Sequence, residues 1–307
     1  MRCLFLMVNN LCNISCAYCF YATGYQKRVA SKISPDKAEI FADKIEALNF
    51  DKVILTGGEP LHLKLKQETY IIIREIKKKK IPVIINTSAT FLTDADLDTI
   101  IRLNVDRIDI SIDSHIREVH NKQRGRFDDT VYAIKGLISR GYRNVATTTV
   151  VTKKNASTLD ETINWLQGLG ISDIRFQEVF IPKGKMQQLN TENKDNIIFN
   201  AIKKISQKNK STHIKDYIAL TEAIFNNKNL LPNALCCMGK EYFVCSAEGD
   251  LTPCFHRPDI KLGNLFNDPV SEIIANIDNN ILSKSEKLPN CFGVHCVSLF
   301  DNPRFWK

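Results

Sequence analysis

Three cysteines near the start of the chain fall in the run Cys12-Asn13-Ile14-Ser15-Cys16-Ala17-Tyr18-Cys19, separated by three and two residues. Nothing nearby offers a fourth ligand. A structural zinc site takes four protein ligands, usually as two separated pairs. Three thiolates in one short loop suit instead a [4Fe–4S] cube with three irons held and one left open. An open iron is useful when a small molecule is to bind it. The competing reading places the three thiols on one face of a helix, since 12, 16 and 19 are i, i+4 and i+7. Asn13 and Ser15 favour turns, and the β-rich run Leu4, Phe5, Leu6, Val8 comes just before.

The ten cysteines of this 307-residue chain are clustered. After Cys3, Cys12, Cys16 and Cys19 there is none until Cys236. The others are Cys237, Cys245, Cys254, Cys291 and Cys296. No signal peptide precedes the first strand-like run, and no apolar run reaches membrane-spanning length. A cytoplasmic protein is therefore expected, and in that compartment such cysteines serve metal or redox chemistry rather than disulfides. The net charge of +8 allows an anionic substrate or partner but is no nucleic-acid signature.

The elements that must position these residues alternate. Strands are expected at 2–8, 52–56, 81–86, 107–112, 144–152 and 173–179. Helices are expected from Ser34-Pro35-Asp36, after Pro60 to about Lys80, from Thr93 to Leu103, and over Phe127–Arg140 and Ser157–Leu169. Ser34 and Thr93 suit helix caps, and Ala38, Phe41, Ile45 and Leu48 recur at helical spacing. Alternation of this kind predicts βαβ units, a parallel sheet and active-site loops at the carboxyl ends of the strands. The cysteine loop, Gly57-Gly58-Glu59-Pro60, Asn86-Thr87-Ser88 and Ser111-Ile112-Asp113 all fall there. The lysine runs Lys77–Lys80 and Lys203–Lys204 read as solvated helix faces.

From about Ile181 the sequence turns Lys/Asn-rich, with helical periodicity. Domains are thus expected at 1–180 (barrel), 181–235 (helical bridge) and 236–307 (a small C-terminal domain). The last contains the strand Tyr242–Cys245, a turn at Glu248-Gly249-Asp250, a second strand to Cys254, and a helix opened by Pro269. His62, His115, His120, His213, His256 and His295 show no metal-ligand spacing.

The cysteine loop, with Tyr18 before its last cysteine, together with Gly57-Gly58-Glu59-Pro60 after the second strand, resembles the radical S-adenosylmethionine (SAM) superfamily. The resemblance covers most of the chain. It implies an α/β fold, a partial (β/α)6 TIM-like barrel with a small C-terminal α+β twitch/SPASM-like iron–sulfur domain. Cys12, Cys16 and Cys19 would ligate a [4Fe–4S] cluster whose open iron is chelated by the amino and carboxylate groups of SAM. Gly57, Gly58 and Glu59 would receive the SAM amino group through backbone oxygen and carboxylate, and Tyr18 would contact adenine by backbone or ring. Asn86, Ser111 and Arg124 match positions that reach the ribose or the methionine carboxylate. Arg124 lies in His120-Asn121-Lys122-Gln123-Arg124-Gly125, which is similar to the family's H-D-x-x-R-G stretch with Asn121 in place of aspartate.

Cys237-x11-Gly249-x4-Cys254, followed by Leu262-Gly263-Asn264-Leu265, is similar to the twitch/SPASM extension. With only Cys291 and Cys296 following, the resemblance implies one auxiliary [4Fe–4S] cluster on Cys237, Cys254, Cys291 and Cys296. Cys3 is expected to be a small core residue. Cys236 and Cys245 are candidates for donating a hydrogen atom to a substrate radical, and Cys236 also for exchanging with Cys237 as a ligand.

The implied activity is reductive cleavage of SAM to a 5′-deoxyadenosyl radical that abstracts a substrate hydrogen. The foremost expectation is a maturase acting on a ribosomally made peptide by crosslinking, thioether formation or epimerisation. The chain starts directly at the first barrel strand, so a leader would bind the barrel or a separate leader-binding protein. The alternative is a small-molecule epimerase or dehydrogenase acting on a sugar or aminocyclitol; a molybdopterin-precursor cyclase is less expected, because its Gly-Gly ending is missing. A non-catalytic iron–sulfur redox protein is a more remote reading, against which Gly57-Gly58-Glu59-Pro60 argues. The partners implied are a flavodoxin- or ferredoxin-type electron donor and the substrate, without nucleic acid or membrane.

Overall fold

The computed structural model describes residues 1–19, 30–178, 238–255 and 257–280. The expected helical bridge, Cys236, Cys237, Cys291 and Cys296 lie outside the described residues. The chain divides into two compact units, one of residues 1–13, 26–109 and 235–289, the other of 14–25, 110–234 and 290–307. The units cut across the segments read from sequence, because the C-terminal hairpin shares a unit with the first barrel strands.

In the first unit, strands β1 (Cys3–Asn9), β2 (Lys52–Gly57) and β3 (Val83–Thr87) alternate with helices α1 (Ala38–Ala47) and α2 (Lys66–Lys78). Helix α3 (Asp94–Arg102) follows β3. The strands pair in parallel, Leu4 opposite Val53 and Val53 opposite Val83. Every residue of β1 is buried, as befits a strand with a neighbour on each side and covered faces. Helix α1 turns Ala38, Phe41, Ala42 and Ile45 inward, and α2 does so with Thr69, Tyr70, Ile72, Ile73 and Ile76. Thr93 caps α3 in a reciprocal capping box with Asp96. Beneath it lies a buried polar knot. Lys66 Nζ and Tyr70 Oη donate to Asp96, with Thr93 N–H and O–H on the same carboxylate. Burial opposes the Asp96 charge, but these donors win and hold its pKa below the usual carboxylate value.

Strand β4 (Arg107–Ser111) starts in the first unit and ends in the second. The second unit continues with α4 (Arg117–Gln123), α5 (Phe127–Ser139), β5 (Val145–Val151), α6 (Leu159–Gly168) and β6 (Asp173–Glu178), β5 and β6 pairing in parallel. Helix α4 is not foreseen by the apolar pattern; at seven residues it is too short to show a period. Left-handed residues lie two positions beyond the ends of α1, α2, α3, α5 and α6, namely Asn49, Lys80, Asn104, Gly141 and Gly170. Each lets a helix stop and the chain turn back into the next strand.

The first unit also holds β7 (Tyr242–Cys245), β8 (Asp250–Thr252), β9 (Gly263–Asn264) and α7 (Val270–Asp278). β7 and β8 form the expected hairpin, with Gly249 at φ +90° in its turn. A Cβ on Gly249 would lie 2.4 Å from the Phe266 ring, which itself packs on Phe41 of α1 at 5.8 Å. β7 does more than close a hairpin. It pairs in parallel with β1, Cys3 opposite Tyr242 and Leu6 opposite Cys245, while Phe243 meets Phe50 edge-on at 5.3 Å. Among the described residues, no helix is long and apolar enough to cross a membrane.

Candidate active site

At the carboxyl ends of β1 and β2 the chain makes a close backbone junction. Gly58 N–H donates to Asn9 O at 2.9 Å and Glu59 N–H to Leu11 O at 2.6 Å. The two glycines are required by space. A Cβ on Gly57, whose φ is +122°, would sit 2.3 Å from Asn9 O, and one on Gly58 would sit 2.0 Å from Leu11 O. Asn9 closes the junction, its Nδ2 donating to Glu59 O and its Oδ1 accepting from Leu11 N–H, both at 2.9 Å.

The Glu59 side chain, 4% exposed, is committed within the protein, so its carboxylate is not the open SAM acceptor expected from sequence. Oε1 accepts from Leu61 N–H at 3.0 Å and from the Thr87 hydroxyl, and Oε2 from Ser88 N–H at 2.8 Å and the Ser88 hydroxyl. Four donors occupy the roughly four lone-pair positions of a carboxylate. The side chain thus ties the end of β2 to the end of β3. Asn13, just after Cys12, accepts from Leu63 N–H through Oδ1 and donates to Thr90 Oγ1 through Nδ2. Asn86 is half-buried, and its Oδ1 is a buried acceptor with no partner among the described residues.

In the second unit, Cys16, Tyr18 and Cys19 are half-buried, and the loop is hydrogen-bonded by Ala17 N–H to Gln123 O at 2.8 Å. No helix runs through residues 12–19, so the single-helical-face arrangement is absent. The hub here is Asp113, fully buried just beyond β4. Its Oδ2 accepts from Arg124 Nε at 2.9 Å and from the Tyr18 hydroxyl, and its Oδ1 from Val150 N–H at 3.0 Å. Its N–H donates to His120 Nδ1 at 3.2 Å, and its carbonyl accepts from Asn155 Nδ2 at 2.8 Å. The Arg124 guanidinium lies over the Tyr18 ring, 5.2 Å from its centroid.

The electrostatics follow from this crowding. Burial pushes the Cys16 thiol up, and the nearby Arg124 cation pulls it back part of the way. Burial raises the Tyr18 hydroxyl as well. It disfavours the Arg124 charge, but Asp113 more than offsets this and keeps the guanidinium cationic. His120 is pulled down by burial to about 4, so it is neutral and can accept from Asp113. Gln123 is 2% exposed; its Oε1 takes the Thr152 hydroxyl, and its Nε2 has no partner among the described residues. Ser111, the other candidate of this unit, is half-buried at the end of β4.

Cys12 is exposed, and none of Cys12, Cys16 and Cys19 forms a disulfide. Among the described residues, no group of three His, Cys, Asp or Glu side chains is arranged to hold a metal ion. Of the C-terminal thiols, Cys254 is 7% exposed and Cys245 is fully buried, its Sγ against Ser246 O at 3.4 Å and its pKa raised by burial. Cys3 is a core residue of β1. The chemistry of the donors fits an iron–sulfur cube and SAM. The loop offers three thiols within eight residues, and the buried amide atoms Asn86 Oδ1 and Gln123 Nε2 have no partner among the described residues.

Asp113 and Gln123 were not among the site residues named from sequence. The signal for Asp113 was its place two residues after Ser111. Gln123 carried none beyond its position beside Arg124.

A family model described as the radical SAM superfamily matches residues 6–166, and one described as an iron–sulfur cluster-binding domain (SPASM) matches residues 236–296. A probable GTP 3′,8-cyclase of Sulfurisphaera tokodaii is 26% identical over 259 residues, 82% of this chain and 80% of that protein. Among solved structures, native anSMEcpe with bound AdoMet superposes with TM-score 0.69 at 18% identity, over 94% of this chain and 84% of that one. SuiB of Streptococcus suis bound to its precursor peptide SuiA gives TM-score 0.68 at 14% identity, over 91% and 65%. At these identities the likeness speaks for the fold, a partial (β/α)6 barrel with a C-terminal iron–sulfur segment.

Proposed function

Since this chain belongs to the radical SAM superfamily, we propose that it is a maturase that takes a hydrogen atom from a ribosomally made peptide. The chain is a radical SAM enzyme, with SAM, a [4Fe–4S] cluster and an auxiliary iron–sulfur cluster as its cofactors. Together, SAM and its cluster supply a carbon-centred radical able to abstract hydrogen from an unactivated carbon.

The residues then have defined parts. Cys12, Cys16 and Cys19 hold the first cluster, while Cys237, Cys254, Cys291 and Cys296 hold the second. The Gly57-Gly58-Glu59-Pro60 turn receives the SAM amino group through its backbone, with Glu59's side chain bracing it. Tyr18 would contact adenine, and Asn86, Ser111 and Arg124 would serve the ribose and the methionine carboxylate. Such fixing of reactants accounts for much of what a protein adds to radical chemistry. Electrons come from a flavodoxin- or ferredoxin-type donor, and a leader peptide docks on the barrel or on a separate leader-binding protein.

The observation that carries the SAM-cleaving part of the reading is the junction at Asn9, Leu11, Gly58 and Glu59, which joins the stem of the cysteine loop to the glycine turn. The peptide class draws its support from the likeness to SuiB with its precursor peptide and from the SPASM match. A second reading, a small-molecule substrate, is favoured by the cyclase relative, which matches over 82% of this chain. The test is incubation of reduced, reconstituted enzyme with SAM and deuterated candidate substrates. Transfer of deuterium from a peptide into 5′-deoxyadenosine is expected. Absence of 5′-deoxyadenosine under every condition overturns the enzyme reading, and transfer from a nucleotide or sugar alone overturns the peptide class.

A further inference from the structure

We propose that Asp113 is a positioning residue that clamps the Arg124 cation beside the cysteine loop and thereby sets the reduction potential of the cluster held there. The inference rests on the reading that Cys16 is a cluster ligand.

The geometry of one unit carries it. Asp113 is fully buried and held by five protein groups, from β5 (Val150), α4 (His120), the loop after β5 (Asn155), Arg124 and Tyr18. With its backbone fixed by His120 and Asn155 and its Oδ1 by Val150 N–H, Asp113 sets where Arg124 and Tyr18 lie. Arg124, with its side chain 10% exposed, is fixed through Nε to Asp113 and by stacking on Tyr18. Its chain neighbour Gln123 accepts from Ala17 N–H at 2.8 Å, directly after Cys16. The cysteine loop therefore meets a cation in a fixed place, and the cation is itself balanced by a buried anion.

A charge in a partly buried site acts strongly because little solvent screens it. Hydrogen bonds to cluster sulfurs and local charge are recognised levers on iron–sulfur potentials. Reduction adds negative charge, so a nearby cation favours the reduced state and an anion opposes it. Asp113 and Arg124 thus push the potential in opposite directions. A residue serving only as scaffold would not do this.

The experiment is a redox titration of the reconstituted full-length protein without SAM, followed by electron paramagnetic resonance. Asp113→Asn, which leaves Arg124 unbalanced, should raise the potential of the loop cluster. Arg124→Gln should lower it, Arg124→Lys should stay near wild type, and the double variant should return towards wild type. Tyr18→Phe, which keeps both charges, should move the potential least. Shifts of the same sign in Asp113→Asn and Arg124→Gln, or no shift in either, overturn the proposal. If Asp113→Asn does not fold, the contrast between Arg124→Gln and Arg124→Lys decides alone: equal potentials overturn it. Cys16→Ala separates the underlying reading, since retention of a SAM-responsive cluster in that variant would remove Cys16 as a ligand whatever the potentials do.

Discussion

Ser88 grips Glu59 twice, its N–H at 2.8 Å and its hydroxyl at 2.5 Å both donating to the same carboxylate oxygen. With Leu61 N–H and the Thr87 hydroxyl on the other oxygen, this makes Glu59 a structural rivet of the glycine turn. Glu59→Gln presents an amide N–H2 to groups that are themselves donors. Losing charge-assisted bonds in a buried site should cost about 2–3 kcal/mol, read as a lower urea midpoint with SAM absent. An unchanged midpoint would show that the carboxylate is free for ligand instead.

Gly58→Ala would place a methyl carbon 2.0 Å from the Leu11 carbonyl. The obstacle is backbone, so no rotamer change relieves it. The variant should be insoluble, or several degrees less stable by calorimetry, and should lose iron from the loop that Leu11 leads into. Wild-type melting with full iron content would contradict the junction.

The pH dependence of stability should carry a His120 signature. Its folded pKa is about 4, below the unfolded value near 6.5. The unfolded chain therefore takes up the proton first as pH falls. The stability due to neutral His120 is complete above about pH 6.5 and drains away towards pH 4, by up to about 3 kcal/mol. His120→Gln removes this titration. Urea unfolding at pH 7.5 and 5.0 should show a larger loss for wild type than for the variant; equal losses would place the pH sensitivity elsewhere.

Cys245 bears on the source of any hydrogen atom returned to the substrate. Its thiol is buried in β7 and kept protonated by that burial. Cys245→Ala should lower stability by about 1–2 kcal/mol through lost packing and leave solvent deuterium incorporation into product unchanged. A lost deuterium signal in a folded, cluster-replete variant would make this thiol the donor.

Much of this architecture was legible because local signals agreed with one another. The cap at Thr93, the hairpin at Gly249 and the strand Tyr242–Cys245 stand where their residues put them. The close approach at Gly57 and Gly58 was legible too, since paired glycines after a strand answer to tight backbone contact. What the sequence hid was partnership across distance. Glu59 to Ser88 spans 29 residues, and Tyr18 to Asp113 spans 95. No period in the chain records such pairings. The commitment of Glu59's carboxylate and the centrality of Asp113 emerge only when the strand ends are brought together.

The pairing of β1 with β7 has a consequence for synthesis. Leu4 and Phe243 are register partners, yet the ribosome makes one near the beginning and the other about 240 residues later. Until then β1, apolar from Cys3 to Val8, offers a bare edge, the kind that recruits strands from other chains. Contacts so remote in sequence are also slow to form. Newly made chains stalled before Tyr242 should be the most aggregation-prone, and shielding of that edge by a chaperone should govern how much soluble protein a cell obtains.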